Sequence, residues 1–380
     1  VRVLFAAFPV AARAFPVPPL AWALQNAGHE VRVATHPDLV RRVTEAGLAA
    51  VPVGQGEDLA ALTDLSRNPA LAGHPGGGLH IGPGGCPDWG AQWYRTTRAF
   101  AALRPLLEEL TGTVVRWRPD LVLWDPFCLP AAVAARVGGA AHARLLWGRD
   151  NIAWLRGRSA RYRDQAPGDG FPEPLEETMQ QLLEPYGLPY AEELVLGQWT
   201  VDPMPPGMRL PAPGVRYENV RWVPYGGGGS IPERLRGRPL GPRVWVAGEE
   251  FADALRELDI ELVGPLDAPW ARLLPSCSAV VHHGGAEVFA SAAAAGVPQV
   301  IVPEPAWDEE AAAVQLVRKG AGVALRRGES DPKSLRAALR SVLQDCREGA
   351  AVWREELARL PGPAELVPVL EELTRHHQRI

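Results

Sequence analysis

The chain has 380 residues, of which 47% are hydrophobic and 22% charged, and a formal net charge of −5. That length exceeds what one core usually holds, so two domains are expected. The mild acidity removes any electrostatic case for nucleic acid or an anionic membrane as partner, and no apolar run approaches the ~20 residues of a spanning helix.

Cys86, Cys128, Cys277 and Cys346 show neither a close pairing nor metal-ligand spacing, so reduced thiols in a cytoplasm are expected. The opening VRVLFAAF is β-like and carries no basic signal region. A start at Val1 rather than Met leads us to expect residues of the natural protein beyond those shown.

RVLFAAF reads as a first strand, and a proline-rich loop follows it. Leu20 to His29 has helical apolar spacing and stops at Gly28. Glu30 to His36 is a second strand, PDLVRRVTEAGL a second helix and AAVPVG a third strand. Strand and helix in strict alternation predict a doubly wound parallel sheet. Residues 73–90 are turn-rich and read as a surface loop. PDLVLWDP, Pro119 to Pro126, repeats the strand signal, with AAVAARVGG as its helix, and Ala160 to Pro174 reads as an exposed excursion.

From Trp199 to Pro239 prolines and glycines cluster, which marks an interdomain linker. A second α/β set follows, from PRVWVAG through SCSAVVHHGG, VFASAAAAG and PQVIVP to SDPKSLRAALRSVLQD. The division expected is 1–205 for one Rossmann-like domain, 206–240 for the linker and 241–362 for the other domain. Residues 363–380 form a helix that crosses back to the first domain. The fold class is α/β.

Ligands of open parallel sheets bind beyond the carboxyl ends of the strands. VVHHGGAEV stands at such a point. The glycines let a phosphate oxygen approach the main chain, the following helix offers free N–H groups, and His283 can donate from its ring. The same letters also suit a tight turn beside a satisfied histidine.

VHHGGA, GVPQVIVP and WDEEAAAVQLVRKGAGVAL, in that order, resemble the donor half of family-1 glycosyltransferases of the GT-B type. FAAF, VPPLAWALQNAGHEVRVATHP and PYAEELVLGQWTVDPMPPGMRL are similar to bacterial members that attach deoxysugars to macrolide and other polyketide aglycones. The resemblance implies two Rossmann-like domains facing a cleft, and an inverting transfer of a deoxysugar in antibiotic biosynthesis. The donor would be a nucleoside-diphosphate sugar, expected to be dTDP-linked, and the acceptor an aglycone hydroxyl. No metal or other cofactor is expected. A homodimer and an accessory protein are both compatible with the likeness.

Matched position by position, the resemblance assigns His283, Gly284, Gly285, Ala286, Glu287 and Val288 to the phosphate turn. Asp308 and Glu309 fall where the sugar hydroxyls are read, and Trp307 before them is assigned to donor binding. Acidic residues at Asp308 and Glu309 equally suit a helix start.

Three departures stand out. Where relatives have Gly and then Ser or Thr, this chain has Glu287 and Val288. A carboxylate ~4 Å from phosphate would repel it by about 4 kcal/mol at an effective dielectric near 20. Arg13 occupies the position of the family's general base, and a guanidinium accepts no proton. Asp125 and His36, each at a strand end, are candidates for a substitute base and equally suit the role of ordinary strand-end polar residues. The stretch between PRVWVAG and ARLLPSC is only about two dozen residues, shorter than in relatives. Either a βα unit is deleted or residues are missing from the chain shown. These departures keep a second reading open, in which a transfer-deficient homologue is a binding or partner subunit or does other chemistry on a polyketide.

Overall fold

The computed structural model describes residues 1–7, 17–54, 93, 96–97, 100–165, 174–264, 269–303, 308–326 and 329–377. The first domain is built on parallel strands β1 (Arg2–Ala7), β2 (Glu30–Thr35), β3 (Ala49–Pro52), β4 (Leu121–Trp124), β5 (Ala141–Leu145), β6 (Trp199–Asp202) and β7 (Tyr217–Asn219). Among the described residues their order is β3-β2-β1-β4-β5-β6-β7. Helices α1 (Val17–Asn26), α2 (Pro37–Glu45), α3 (Leu107–Trp117), α4 (Leu129–Gly138), α5 (Asn151–Gln165) and α6 (Pro174–Leu183) cover it. Strands buried on both faces read as continuous apolar runs, and LVLW of β4 is wholly buried.

The second domain orders its strands β12-β11-β10-β8-β9, again parallel. These are β8 (Arg243–Val246), β9 (Glu261–Val263), β10 (Ala279–His282), β11 (Gln299–Ile301) and β12 (Gly322–Ala324). Its helices are α7 (Glu249–Leu255), α8 (Ala286–Ala295), α9 (Glu309–Arg318), α10 (Pro332–Asp345) and α11 (Arg347–Ala358). In the short stretch noted above, α7 starts two residues after β8. The sheet then ends at β9, whose sheet partner among the described residues is β8 alone.

Two segments carry more structure than composition suggested. Residues 206–240, read as linker, contain β7, which pairs with β6 at the edge of the first sheet. The Tyr217 hydroxyl donates to Asp150 at 2.8 Å, and Arg209 lies over the Tyr217 ring, so side-chain bonding holds a strand too short for a periodic signal. The segment from Ala160 begins as the last turns of α5, and residues 166–173 lie outside the described residues. The loop read over 73–90 lies outside them too.

Met204, Met208 and Trp222 pack with Phe289, Ala312 and Leu316 of the second domain, and the Trp222 indole donates to Ser291 at 2.8 Å. The final helix, α12 (Pro363–His377), returns to the first domain. Its Leu366, Val367, Leu370 and Leu373 join Val3, Phe5, Leu20 and Leu24 in one buried cluster. Truncating Leu370 in that cluster leaves a cavity under β1 and α1. Leu370→Ala should destabilise the first domain by about 2–4 kcal/mol in urea unfolding, and an unshifted midpoint would mean the helix does not support that core.

Candidate active site

A doubly wound sheet opens a crevice where consecutive connections diverge to opposite sides. In the second sheet that point lies between β8 and β10. After β10 the chain passes through His283, Gly284 and Gly285 into α8. His282, the last residue of the strand, fixes this turn from below. Its Nε2 bonds the Gln299 side-chain oxygen at 2.8 Å, and its Nδ1 accepts the Gly284 N–H at 3.0 Å. Burial lowers its pKa to about 4, so the ring is neutral with its proton on Nε2. Gly284 has φ of 96°, and a Cβ there would lie 3.1 Å from both Ile301 and the Glu309 carbonyl. Only glycine lets the turn lie this close to the start of α9.

His283 is oriented on both sides. Its Nδ1 donates to the Val302 carbonyl at 3.1 Å, and its ring packs against Phe251 with centroids 4.7 Å apart. Nε2 therefore faces the crevice. There it meets the Glu250 carboxylate, from the first turn of α7, at 3.0 Å.

Glu287 follows in the first turn of α8. Loss of solvent pushes its pKa up to about 8, while Arg42 of α2, in the other domain, acts to lower it. At neutral pH the side chain is therefore mostly the uncharged acid, and the repulsion expected from the sequence is largely relieved. Val288 packs against the apolar cluster under β8 and β10, and Ala286 against the cluster at the domain interface.

Asp308 immediately precedes α9, is 4% exposed, and is bonded from the opposite domain. The Arg149 backbone N–H donates to its Oδ2 at 2.7 Å and the Asn151 amide to its Oδ1 at 3.0 Å. Burial raises its pKa, and Arg149 and Asn151 oppose that rise. The loop after β5 that presents Arg149 rests on a buried network. Arg144 and Asp150 form a two-bond ion pair at 2.8 and 2.6 Å, Thr200 accepts from Arg144, and Asp150 takes the Ala153 N–H at the start of α5. Glu309 begins α9 beside Asp308, half-buried. Trp307 and Arg13 lie outside the described residues.

The first sheet diverges between β1 and β4, and Asp125 stands there, 5% exposed, its N–H bonded to the Ala6 carbonyl. Its Oδ1 accepts the Phe127 N–H at 2.9 Å. Among the described residues the Trp147 indole is the group near its Oδ2, and it opposes the rise in pKa. Burial raises that pKa to about 7. Beside it a small cavity opens, lined by Phe127, Trp147, Arg149, Asp150 and Ile152. His36 sits further along the same edge as the cap of α2. Its Nδ1 accepts the Asp38 N–H at 3.4 Å, and its buried Nε2 has no hydrogen-bond partner among the described residues.

The site residues chosen from sequence thus fall on two facing edges, His283 and Glu287 on one and Asp125 on the other, with Asp308 bonded between them. Sequence reasoning passed over His282, Gln299, Glu250, Arg42, Arg149 and Asn151. Of these only the doubled histidine and the Gln of GVPQ carried any signal. The others act across domains or from the helix after β8, brought to the turn by the pairing of β8 with β10.

Among the described residues no group of His, Cys, Asp and Glu could hold a metal ion, and no helix is long and apolar enough to cross a membrane. Two family models match the chain. The one described as Erythromycin biosynthesis protein CIII-like, N-terminal domain, covers residues 22–74 and 90–248, and its C-terminal counterpart covers 255–373. The chain is 36% identical to 10-deoxymethynolide desosaminyltransferase of Streptomyces venezuelae, with 100% of this chain and 98% of that protein aligned. It is 35% identical to 3-alpha-mycarosylerythronolide B desosaminyl transferase of Saccharopolyspora erythraea, covering 98% of each. The alignment to the first relative runs over 424 positions against 380 residues here, so that relative carries segments this chain lacks. The glycosyltransferase VinC, solved in complex with DTDP, superposes with a TM-score of 0.86 at 29% identity, covering 99% of this chain and 100% of that one. Spinosyn forosaminyltransferase SpnP gives 0.81 at 33%, covering 98% and 99%.

The raised Glu287 pKa has a sign that can be measured. Its folded value, about 8, exceeds the ordinary glutamate value of 4.5, so its contribution to stability is fully present below about pH 4.5 and is lost as pH rises toward 8. Glu287→Gln should flatten the fall in stability across that window in urea unfolding. An identical pH profile in the variant would show that the carboxyl ionises normally.

Proposed function

We propose, on the premise that this chain belongs to the erythromycin biosynthesis protein CIII-like family and is a GT-B glycosyltransferase, that it moves a deoxysugar from a dTDP-sugar to a polyketide or macrolide hydroxyl. The observation that carries this reading is the facing of two sheet edges. Asp125 stands at the divergence point of one and His283 at that of the other, and Asp308 bonds the two domains together.

The diphosphate would lie against the outward N–H groups at the start of α8 and His283 Nε2. Glycines at 284 and 285 allow close approach, and the helix start favours negative charge. Asp308 and Glu309 would read the sugar hydroxyls. The aglycone would enter the first domain beside Phe127 and Trp147. In the transfer step the acceptor hydroxyl gives its proton to Asp125 as its oxygen bonds the anomeric carbon. The bond from that carbon to the diphosphate oxygen breaks on the opposite face, which inverts the centre. The departing charge is stabilised by the same N–H groups that bound it.

Asp125 is the base we favour because its pKa, about 7, matches the working range of a general base. His36 is the runner-up, and its Nδ1 is already engaged at the α2 cap. We assign the enzyme to the cytoplasm, where unpaired thiols stay reduced. A homodimer and an accessory protein remain part of the reading as partners.

Transfer from a dTDP-deoxysugar, followed by mass spectrometry of the glycosylated aglycone, tests the activity. In the same assay Asp125→Asn should lower kcat by about 10²–10⁴-fold with dTDP affinity unchanged within twofold. The wild-type kcat/KM should rise with pH through about 7, since the carboxylate is the active form. Full activity in Asp125→Asn, with loss in His36→Ala, would transfer the role to His36. Absence of both transfer and dTDP binding would favour a partner subunit.

A further inference from the structure

Resting on the donor site just proposed, we infer that Glu250 is an affinity-setting residue of that site, holding the position at His283 Nε2 that a donor diphosphate must take. Donor binding is then the exchange of one anion for another.

The geometry leaves His283 one nitrogen to offer. Nδ1 is committed to the Val302 carbonyl, and Nε2, turned to the crevice, already meets a carboxylate oxygen at 3.0 Å. With Nδ1–H donated to Val302, the hydrogen on Nε2 is that of the imidazolium, and the Glu250 oxygen accepts it where a phosphate oxygen would. The chain at the end of β8 makes room for it. A Cβ on Gly248 would fall 2.3–2.6 Å from the Glu250 carboxyl group, so the carboxylate folds back over a position with no side chain. Because α7 begins immediately after Gly248, the short connection brings this acidic turn to the divergence point of the second sheet.

The contact is also built to be broken. The Glu250 side chain is 58% exposed, and among the described residues His283 is its polar partner. An exposed pair of this kind is weak and screened, so rotation of Glu250 into water costs little. A diphosphate brings more charge and further N–H contacts, and so displaces it. Glu250 lowers donor affinity without abolishing it.

Calorimetric titration of the full chain with dTDP tests this. Glu250→Gln and Glu250→Ala should both bind about three- to fivefold tighter than wild type. Glu249→Gln, the same charge change one residue away, should stay within about twofold. In a His283→Ala background, Glu250→Ala should gain less than about twofold, because the contested position is gone. Equal or weaker binding by the Glu250 variants, an equal gain in Glu249→Gln, or an undiminished gain without His283 would each overturn the role of Glu250. No dTDP binding by any form would overturn the donor site itself, and this inference with it.

Discussion

Asp308 is the point on which the cleft depends. A carboxylate from the second domain accepts two hydrogen bonds from the first, at 2.7 and 3.0 Å, while almost fully withdrawn from water. Charged acceptors gain most from such bonds where water is excluded, and leaving one unpaired there is costly. The bonds are supported from behind by the Arg144–Asp150 pair, itself buried and tied to Thr200 and Tyr217. The carboxyl edges of two parallel sheets are thereby held face to face. Each Asp308 oxygen keeps a second acceptor site beside its interdomain bond, so a sugar hydroxyl read there would share the oxygens that join the domains.

Of the carboxyl groups around the proposed diphosphate site, three have surroundings that manage their charge. Each is managed differently. Glu287 is pushed toward its neutral form by burial, Asp308 is turned into the domain contact, and Glu250 is paired with His283. The histidine below, His282, is held neutral and works only as a bracket for the turn. Sequence letters that look hostile to an anion are thus compatible with one once the surroundings of each are known.

The alternation of apolar strand runs with helices made the doubly wound architecture readable from the sequence, down to Gly28 and the Asp331-Pro332 start of α10. The turn after β10 was readable as well, because GG after a strand leaves few backbone choices. Three things were not readable. The edge strand Tyr217–Asn219 has three residues and is held by side-chain bonds. The partners of Asp308 lie about 160 residues away in sequence, in a loop whose WGRDN letters carry no periodic signal. Glu250 meets His283, 33 residues on in sequence, because β8 pairs with β10 and brings the two strand ends together, which no local pattern displays.

The most direct test of the central claim is a crystal structure of the full chain soaked with dTDP. The diphosphate should sit within hydrogen-bonding distance of His283 Nε2 and the first N–H groups of α8, with the Glu250 side chain turned out to solvent. Nucleotide bound elsewhere, with Glu250 still on His283, would contradict the account.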